Sequence, residues 1–288
     1  MIPRPLGTTG IALPPLALGT VKLGRLTGLK YPGAAPTQLP TDDAVRSLLR
    51  TAWSRGIRLI DTAPAYGRSE QRLGTLLPEI APTAATQANT DTTDRWLICT
   101  KVGEVFNEAT SASTYDFSPT HIRESVERSL KHLRVPMLDI VLLHFATGSL
   151  DQDVLAQGHA LRTLRELQNQ GLIRAVGASI GSIPGGELAL SHAHARCDVL
   201  MLTLNQHDRS MAGLVARAHA QGVGVLIKKP LASGHVDPAE SLRGVLNTPG
   251  VTAAVVGTAN PAHLSDLANI ATIAGTIAQP TANESRLP

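Results

Sequence analysis

The chain is poor in aromatic side chains and in cysteine, and it carries little net charge. Aromatic residues make up 3% of its 288 residues, and two cysteines are too few for a disulfide-stapled secreted scaffold. The formal net charge of +3, with basic residues scattered along the chain, argues against a nucleic-acid partner. No apolar run approaches the ~20 residues that span a bilayer, and no apolar signal segment stands near the N-terminus. These absences predict a cytoplasmic protein without a membrane partner.

Metal-binding patterns are also missing. His192 and His194 lie close together, but no thiol or carboxylate framework accompanies them, so we interpret them as structural residues. Cys99 falls inside an apolar run and Cys197 falls near the next strand pattern, which is typical of reduced, buried thiols. The sequence therefore predicts no metal site.

What the chain does have is a series of short apolar runs that end in polar, proton-handling side chains. The first run is followed by Asp61, with Tyr66 five residues later, and the next three runs end at Lys101, His144 and Ser179. Short, uniformly apolar runs are typical of parallel strands buried on both faces. Each polar residue alone is also compatible with a turn, a core or a solvated loop. Together they indicate an active site at the strand ends of a barrel.

Further apolar runs and helical segments complete this pattern. The other strand-like runs lie at 16–20, 199–205, 224–227 and 253–257, and segments with a period near 3.6 lie at 41–55, 119–133, 155–170 and 211–221. Strands that alternate with helices eight times predict an α/β fold, the (β/α)8 TIM barrel. Such a barrel needs about 250 residues, so the 288 residues fit a single domain over 1–288.

Three segments fall outside the barrel pattern. Residues 4–13 predict an N-terminal β-hairpin that closes the bottom of the barrel. Residues 82–93 are polar and of low complexity, which indicates a flexible insertion far from the chemistry. Residues from about 279 to 288 indicate a loose tail.

Longer pieces of the sequence resemble, in their order and spacing, those of the aldo-keto reductase family. The pieces lie at 6–10, 18–20, 61–67, 69–70, 73–74, 100–101, 138–144, 171–177 and 230–234, which spreads them over almost the full length. The resemblance implies a barrel enzyme that reduces carbonyl compounds with a nicotinamide cofactor. By this resemblance, Asp61, Tyr66, Lys101 and His144 fall on the family's catalytic tetrad, and all four residue types are present.

The chemistry of these four residue types suits carbonyl reduction, which needs a hydride at carbon and a proton at oxygen. A free phenol, with a pKa of about 10, is a poor proton donor to a neutral carbonyl. A Lys101 ammonium held by Asp61 is expected to stabilise the tyrosinate and lower the Tyr66 pKa. His144 is expected to donate a hydrogen bond to the carbonyl oxygen.

The resemblance also implies a cofactor site at the same end of the barrel. The implied cofactor-binding residues are Gly19, Thr20, Val21, Asp61, Ser179, Gln206, Lys228, Leu231, Gly234, Gly257, Thr258, Asn260 and His263. The stretch from 257 to 264 resembles the loop and helix start that hold the adenosine 2'-phosphate, and a helix N-terminus attracts anions. NADPH is therefore the expected cofactor, with NADH as the alternative.

Several cofactor positions depart from the family's pattern. Ile180 stands where an Asn usually helps to grip the carboxamide, and Lys228–Lys229 stands where an aromatic ring usually stacks on the nicotinamide. Gly257 and His263 stand where many members have Lys or Arg, and Leu267 replaces a usual Asn. The expectation of NADPH therefore depends on the family more than on these residues.

The substrate is indicated only by aromatic residues in the loops after the first four strands. These residues are Tyr31, Tyr66, Phe106, Tyr115, Phe117 and Phe145. They indicate either an aromatic-lined pocket or rings that pack the loops onto the barrel. The segment 102–117 is long enough to act as a flexible lid. No basic cluster suits a phosphorylated sugar, so small aldehydes or ketones are the predicted substrates.

Two other functions stay open at this point. A Schiff-base aldolase would keep its lysine at a strand end, where Lys228 or Lys229 stands, but this leaves the four tetrad residues unexplained. A nucleotide-binding sensor or scaffold barrel with little turnover is favoured by the missing Asn and the missing stacking ring. The sequence does not indicate an oligomeric state.

Overall fold

The chain begins with a short hairpin, and eight parallel strands then form a closed barrel. This fold is seen in a computed structural model that describes residues 1–29, 37–83, 94–145, 150–191 and 196–277. The strands are β1 (Arg4–Pro5), β2 (Ala12–Leu13), β3 (Leu16–Gly19), β4 (Leu59–Asp61), β5 (Leu97–Val102), β6 (Glu104–Asn107), β7 (Ala112–Tyr115), β8 (Leu138–His144), β9 (Ile173–Ser179), β10 (Val199–Thr203), β11 (Gly224–Lys228) and β12 (Ala253–Gly257). The barrel runs β3, β4, β5, β8, β9, β10, β11 and β12, and β12 pairs with β3 to close it. The predicted (β/α)8 barrel with an N-terminal hairpin is thus confirmed.

Helices follow the barrel strands and cover the outside of the barrel. They are α1 (Val21–Gly24), α2 (Asp42–Ser54), α3 (Ser69–Leu76), α4 (Pro119–Leu133), α5 (Asp151–Gln157), α6 (His159–Asn169), α7 (Ile183–Ser191), α8 (Ala212–Ala220), α9 (Pro238–Leu246) and α10 (Pro261–Ile277). The Ser118 hydroxyl caps α4 by accepting from the His121 N–H, and Pro119 takes the first helical position. Helix α4 therefore begins where the Ser118–Pro119 pair predicted.

Apolar side chains form one layer between strands and helices and a second layer inside the barrel. Leu6, Ile11 and Leu13 of the hairpin region belong to the inner layer and are buried. The hairpin therefore closes the end of the barrel where the strands begin. It does not cover the other end, where the strands finish and where the candidate site lies.

One predicted helix is divided in the structure. The apolar period from 155 to 170 indicated a single helix, but α5 and α6 meet at Gly158. Gly158 has a φ of +70°, a left-handed conformation that glycine adopts without the steric cost of a Cβ. The apolar period continues across this break, so periodicity alone did not reveal it.

The segment after β5, predicted as a long loop, forms a second hairpin from β6 and β7. Glu104 pairs with Tyr115 and Phe106 pairs with Ser113. Gly103 takes a φ of +102° where the chain leaves β5, and a Cβ there would lie 2.1 Å from the Phe117 ring. The hairpin places part of its inner face against the barrel mouth, so it forms a wall of the cavity described below.

A carboxylate ties three strands together away from the barrel mouth. Asp139, near the start of β8, accepts hydrogen bonds from Arg95 at 2.5 Å and from Arg174 at 2.9 Å through Oδ1. Its Oδ2 accepts from the backbone N–H of Ile98 at 3.0 Å and from Arg95 at 3.0 Å. Because Arg95 is buried, it depends on Asp139 for its countercharge.

Some predictions fall on parts of the chain that the structure does not describe. Tyr31, His192, His194, residues 84–93 of the predicted insertion and the tail from 279 to 288 lie outside the described residues. Within the described ranges, no helix has the length and apolar character needed to cross a bilayer. Cys99 and Cys197, the two cysteines of the chain, are both described and buried, and they form no disulfide with each other.

Candidate active site

The four predicted catalytic residues lie in one cavity at the carboxyl ends of the barrel strands. Asp61 ends β4, Lys101 lies near the end of β5 and His144 ends β8. Tyr66 ends a 3₁₀ turn, Pro64–Tyr66, in the loop after β4. All four side chains line a cavity of about 630 Å³. The barrel therefore brings together residues that are up to 83 positions apart in sequence, from Asp61 to His144.

Lys101 and Asp61 form a buried ion pair. The Lys101 ammonium, 1% exposed, donates to Asp61 Oδ1 at 2.7 Å and to the Thr62 carbonyl at 2.8 Å. Burial lowers the Lys101 pKa, but Asp61 and Tyr66 raise it by more, so the net shift is upward. Lys101 is therefore a permanent positive charge in the cavity.

Tyr66 lies beside this charge as a protonated phenol. Lys101 Nζ lies 4.8 Å from the centroid of the Tyr66 ring. Burial raises the pKa of Tyr66 to about 12, although Lys101 lowers it. The sequence-based expectation of a net lowering is therefore not met here, because burial outweighs the lysine. The phenol holds its proton at neutral pH.

His144 faces Tyr66 from β8. The two rings lie 6.0 Å apart between centroids, with an interplanar angle of 79°. Burial lowers the His144 pKa, and the nearby carboxylate of Glu104 opposes that shift without reversing it. The imidazole is therefore neutral at neutral pH.

Glu104, on β6, is a cavity residue that the sequence reasoning missed. Its Oε2 lies 2.7 Å from His144 Nδ1, and its side chain is 4% exposed. Burial raises the Glu104 pKa, but His144, Ser113 and Arg25 together lower it to about 2, so the group is ionised. The signal was present as a carboxylate in an alternating stretch three residues after Lys101, but that stretch was interpreted as a lid.

A second cavity, of about 350 Å³, adjoins the first and reaches the N-terminus of α10. Lys229, Ser233, Val255 and Gly257 line both cavities, so the two form one groove. Predicted cofactor residues line the first cavity at Gly19, Thr20, Val21, Asp61, Ser179, Lys228 and Gly257, and the second at Leu231, Gly234, Gly257, Thr258 and His263. The structure therefore brings these predicted residues to a single groove.

Gln206, predicted to grip the carboxamide, does not line the groove in this structure. Its side chain is exposed and it is absent from the lining of both cavities, while its backbone N–H donates to Ser241 Oγ. The chain has turned away by this point, because Asn205 Oδ1 accepts from two backbone N–H groups of the turn. Met201, paired with Ser179 across β10 and β9, lines the cavity instead.

Asn260 also lies outside both cavities. It is exposed, and its Oδ1 accepts from the Ala262 N–H at the start of α10. Its backbone N–H donates to Thr258 Oγ1 at 3.0 Å. Asn260 therefore shapes the loop before α10, while Thr258 and His263 face the groove.

Lys228 lies in the segment where the family resemblance implied an aromatic ring stacked on the nicotinamide. Its Nζ donates to Ser179 Oγ at 2.9 Å. Burial, with the charges of Lys229 and Lys101, lowers the pKa of Lys228 to about 7. The groove therefore has a titrating amine, not an aromatic face, at this point.

The aromatic residues divide between the two interpretations of the sequence. Tyr66, Tyr115 and Phe145 line the cavity. Phe117 packs between Tyr115 and Phe145, with ring centroids 6.4 Å and 4.9 Å away. Phe106 lies under the guanidinium of Arg25, 3.2 Å from its ring centroid. The pocket is thus partly aromatic, and the other two described rings pack the hairpin.

A parallel barrel with a phenol, a buried lysine and an imidazole beside an extended groove at the carboxyl ends of its strands has the architecture of a barrel enzyme. Comparison with known proteins agrees with this class. The model of the "Aldo/keto reductase family" matches residues 15–244, and the chain belongs to this family.

Similar proteins include both solved structures and curated enzymes. A putative aldo-keto reductase of Pseudomonas aeruginosa is 42% identical, covers 95% of each chain and superposes with a TM-score of 0.78. An NADH-specific methylglyoxal reductase of Escherichia coli is 30% identical over 80% of this chain and 67% of its own length. A D-arabinose 1-dehydrogenase of Saccharomyces cerevisiae is 34% identical over 57% of this chain, but the match spans only 42% of that enzyme.

Proposed function

We propose that the protein reduces small aldehydes or ketones to alcohols with NADPH, and that Tyr66 supplies the proton. The observation that carries this proposal is the protonated phenol of Tyr66 beside the buried ammonium of Lys101 in a cavity open to a long groove. A nicotinamide bound in that groove would supply the hydride.

Each residue of the site has a distinct task in this proposal. The carbonyl oxygen of the substrate lies between Tyr66 and His144, and the phenol gives its proton to that oxygen. Lys101 stabilises the tyrosinate that remains, because its charge is 4.8 Å from the ring. Asp61 keeps Lys101 oriented through the 2.7 Å contact.

The groove suits a dinucleotide. It leads from the catalytic side chains to the N-terminus of α10, where backbone N–H groups and the helix dipole favour a phosphate. Ser179 would contact the carboxamide, and Thr258 and His263 would face the adenosine end. Two lysines, Lys22 and Lys229, and one carboxylate, Asp266, line this part of the groove. The excess of positive charge favours the extra phosphate of NADPH.

We expect kcat/KM to be higher with NADPH than with NADH by roughly tenfold, which corresponds to about 1.4 kcal/mol. Initial rates with both nucleotides, at one fixed aldehyde concentration, give this ratio. Asp266→Asn should increase the ratio because it removes the carboxylate of the adenosine end, and Asp237→Asn, at the exposed N-cap of α9, is the control. A preference for NADH would contradict the charge argument and would match the specificity named for the Escherichia coli relative.

The substrate class follows from the cavity and the relatives together. The cavity has aromatic walls at Tyr115 and Phe145 and polar groups at its base. The relatives' names include methylglyoxal and aldoses as substrates, which supports small, partly polar carbonyl compounds. A panel of methylglyoxal, small aldehydes and free aldoses, measured as loss of reduced nucleotide, tests the proposal.

A Schiff-base aldolase is the second candidate, because Lys228 faces the cavity with a pKa of about 7 and is therefore partly neutral. In that case, borohydride would trap an adduct of the substrate on Lys228 without any nucleotide. We expect no adduct, because Lys228 donates to Ser179 and the tetrad has no task in that reaction. Mass spectrometry of the treated protein, with Lys228→Met as the control, distinguishes the two functions.

A further inference from the structure

Glu104 makes three contacts that fix its place in the cavity wall. Oε2 lies 2.7 Å from His144 Nδ1. Oε1 accepts a hydrogen bond from Ser113 Oγ at 2.5 Å and lies 4.0 Å from Arg25 Nη1. A donor on one side and a cation on the other stabilise the buried carboxylate in its ionised form.

The contact with Glu104 decides which nitrogen of His144 carries the proton. An ionised carboxylate presents only lone pairs, so an unprotonated Nδ1 at 2.7 Å would be repelled by it. Nδ1 therefore carries the proton, although the contact does not have hydrogen-bond geometry and acts through the charge of the carboxylate. A neutral imidazole has one proton, and Nε2 then has a lone pair.

The second nitrogen is the one that a ligand reaches. Nδ1 is fully covered. The His144 side chain is 12% exposed and lines the cavity, so Nε2 is its accessible nitrogen. Tyr66, opposite, holds a proton and can donate it. Between them, His144 and Tyr66 thus present one acceptor and one donor, which matches a hydroxyl group, since a hydroxyl both donates and accepts.

We propose that Glu104 is a positioning residue that holds His144 in the Nδ1-protonated tautomer, so that Nε2 selects a hydroxyl group when His144 is neutral and a carbonyl oxygen only when His144 is protonated. This rests on the proposed function, because the hydroxyl and the carbonyl are the two sides of that reaction. A carbonyl oxygen has only lone pairs and is repelled by the lone pair of neutral His144. The imidazolium, by contrast, donates to it from Nε2.

The charged groups around His144 set the direction of the pH dependence. Lys101 from β5 and Lys228 from β11 disfavour the imidazolium, as burial does, and Glu104 from β6 favours it. Tyr66, from the loop after β4, is uncharged. Carbonyl reduction therefore increases as the pH falls through the His144 pKa. Without the charge of Glu104, only burial and the two lysines act on His144, and all of them lower its pKa. The pH at which carbonyl reduction increases therefore becomes lower.

The tautomer can be observed without any catalytic activity. Nitrogen-15 NMR of the histidine rings, with the His144 signals assigned by their loss in His144→Ala, reports which ring nitrogen is protonated. We expect a protonated Nδ1 and an unprotonated Nε2 in the wild-type protein at neutral pH. A protonated Nε2 with an unprotonated Nδ1 would overturn the proposal, and this measurement needs no variant of Glu104 to fold.

Glu104→Gln tests the second part of the proposal. We expect the midpoint of the pH profile of kcat/KM for aldehyde reduction to move down by about one to three units. Glu108→Gln makes the same charge change at an exposed position of the same hairpin and is the matched control. Glu104→Asp keeps the charge and should restore part of the shift.

The outcomes separate this inference from the proposed function. If Glu104→Gln moves the profile no further than Glu108→Gln does, Glu104 has a structural role only, and the inference is wrong while the reductase stands. If the wild-type protein oxidises no reduced nucleotide at any pH, the proposed function is wrong. The NMR measurement still decides the tautomer in that case.

Discussion

Tyr66→Phe is expected to lower kcat by about 10²–10⁴-fold and to leave the dissociation constant of the nucleotide nearly unchanged. The substitution removes one oxygen atom and keeps the ring. The proton that the substrate oxygen needs is therefore lost, while the walls of the groove stay in place.

The environment of Tyr66 explains why no neighbour replaces it. The Lys101 ammonium also carries protons, but it already donates to Asp61 at 2.7 Å and to the Thr62 carbonyl at 2.8 Å. Its raised pKa makes it a weak acid. His144 is neutral at neutral pH, because burial lowers its pKa. At neutral pH, Tyr66 is therefore the one residue of the tetrad that both holds a proton and can donate it to the substrate oxygen, so the two proteins are compared at that pH.

The measurement combines stopped-flow or steady-state turnover with nucleotide titration by fluorescence. Tyr115→Phe is the matched control, because it makes the same change in the wall of the same cavity. We expect it to lower kcat by less than about tenfold, since it does not touch the proton transfer. Near-full activity in Tyr66→Phe would move the proton donor to another residue. Nucleotide binding without turnover in the wild-type protein would instead support the sensor interpretation.

The barrel and its strand ends could be predicted because they follow from local patterns. A strand buried on both faces must be uniformly apolar, and a charged residue at its end is then conspicuous. Asp61, Lys101 and His144 were found in this way, and the parallel strands carry them to the same end of the barrel. Topology made these distant residues neighbours.

What sequence reasoning missed depends on three-dimensional context. Glu104 reaches His144 only because the chain after Gly103 folds back as a hairpin, and a hairpin with a four-residue loop has a weak sequence signal. Gln206 matched its expected residue type, but the turn held by Asn205 directs it to solvent. The Tyr66 pKa could not be read from a lysine in the sequence, because its largest cause is burial.

Asp139→Asn is expected to lower the free energy of unfolding by about 3–5 kcal/mol. Asn has nearly the same shape, but its amide offers donors where Arg95 and Arg174 already donate. Arg95 then stays buried without its countercharge, and one or more bonds that join β5, β8 and β9 are lost. A loss of this size corresponds to a melting temperature lower by roughly 10 °C.

The exposed ion pairs of the chain provide the contrast. Asp43 pairs with Arg46 at 2.5 Å, the same distance as Asp139 with Arg95, but its side chain is 93% exposed. Asp43→Asn should leave the melting temperature almost unchanged, because the Arg46 guanidinium that remains is accessible to water and keeps its ion pair with Glu79. Thermal unfolding followed by circular dichroism compares the two variants. Equal shifts would mean that contact distance, not burial, determines the cost, and the buried carboxylate would then not be what joins these three strands.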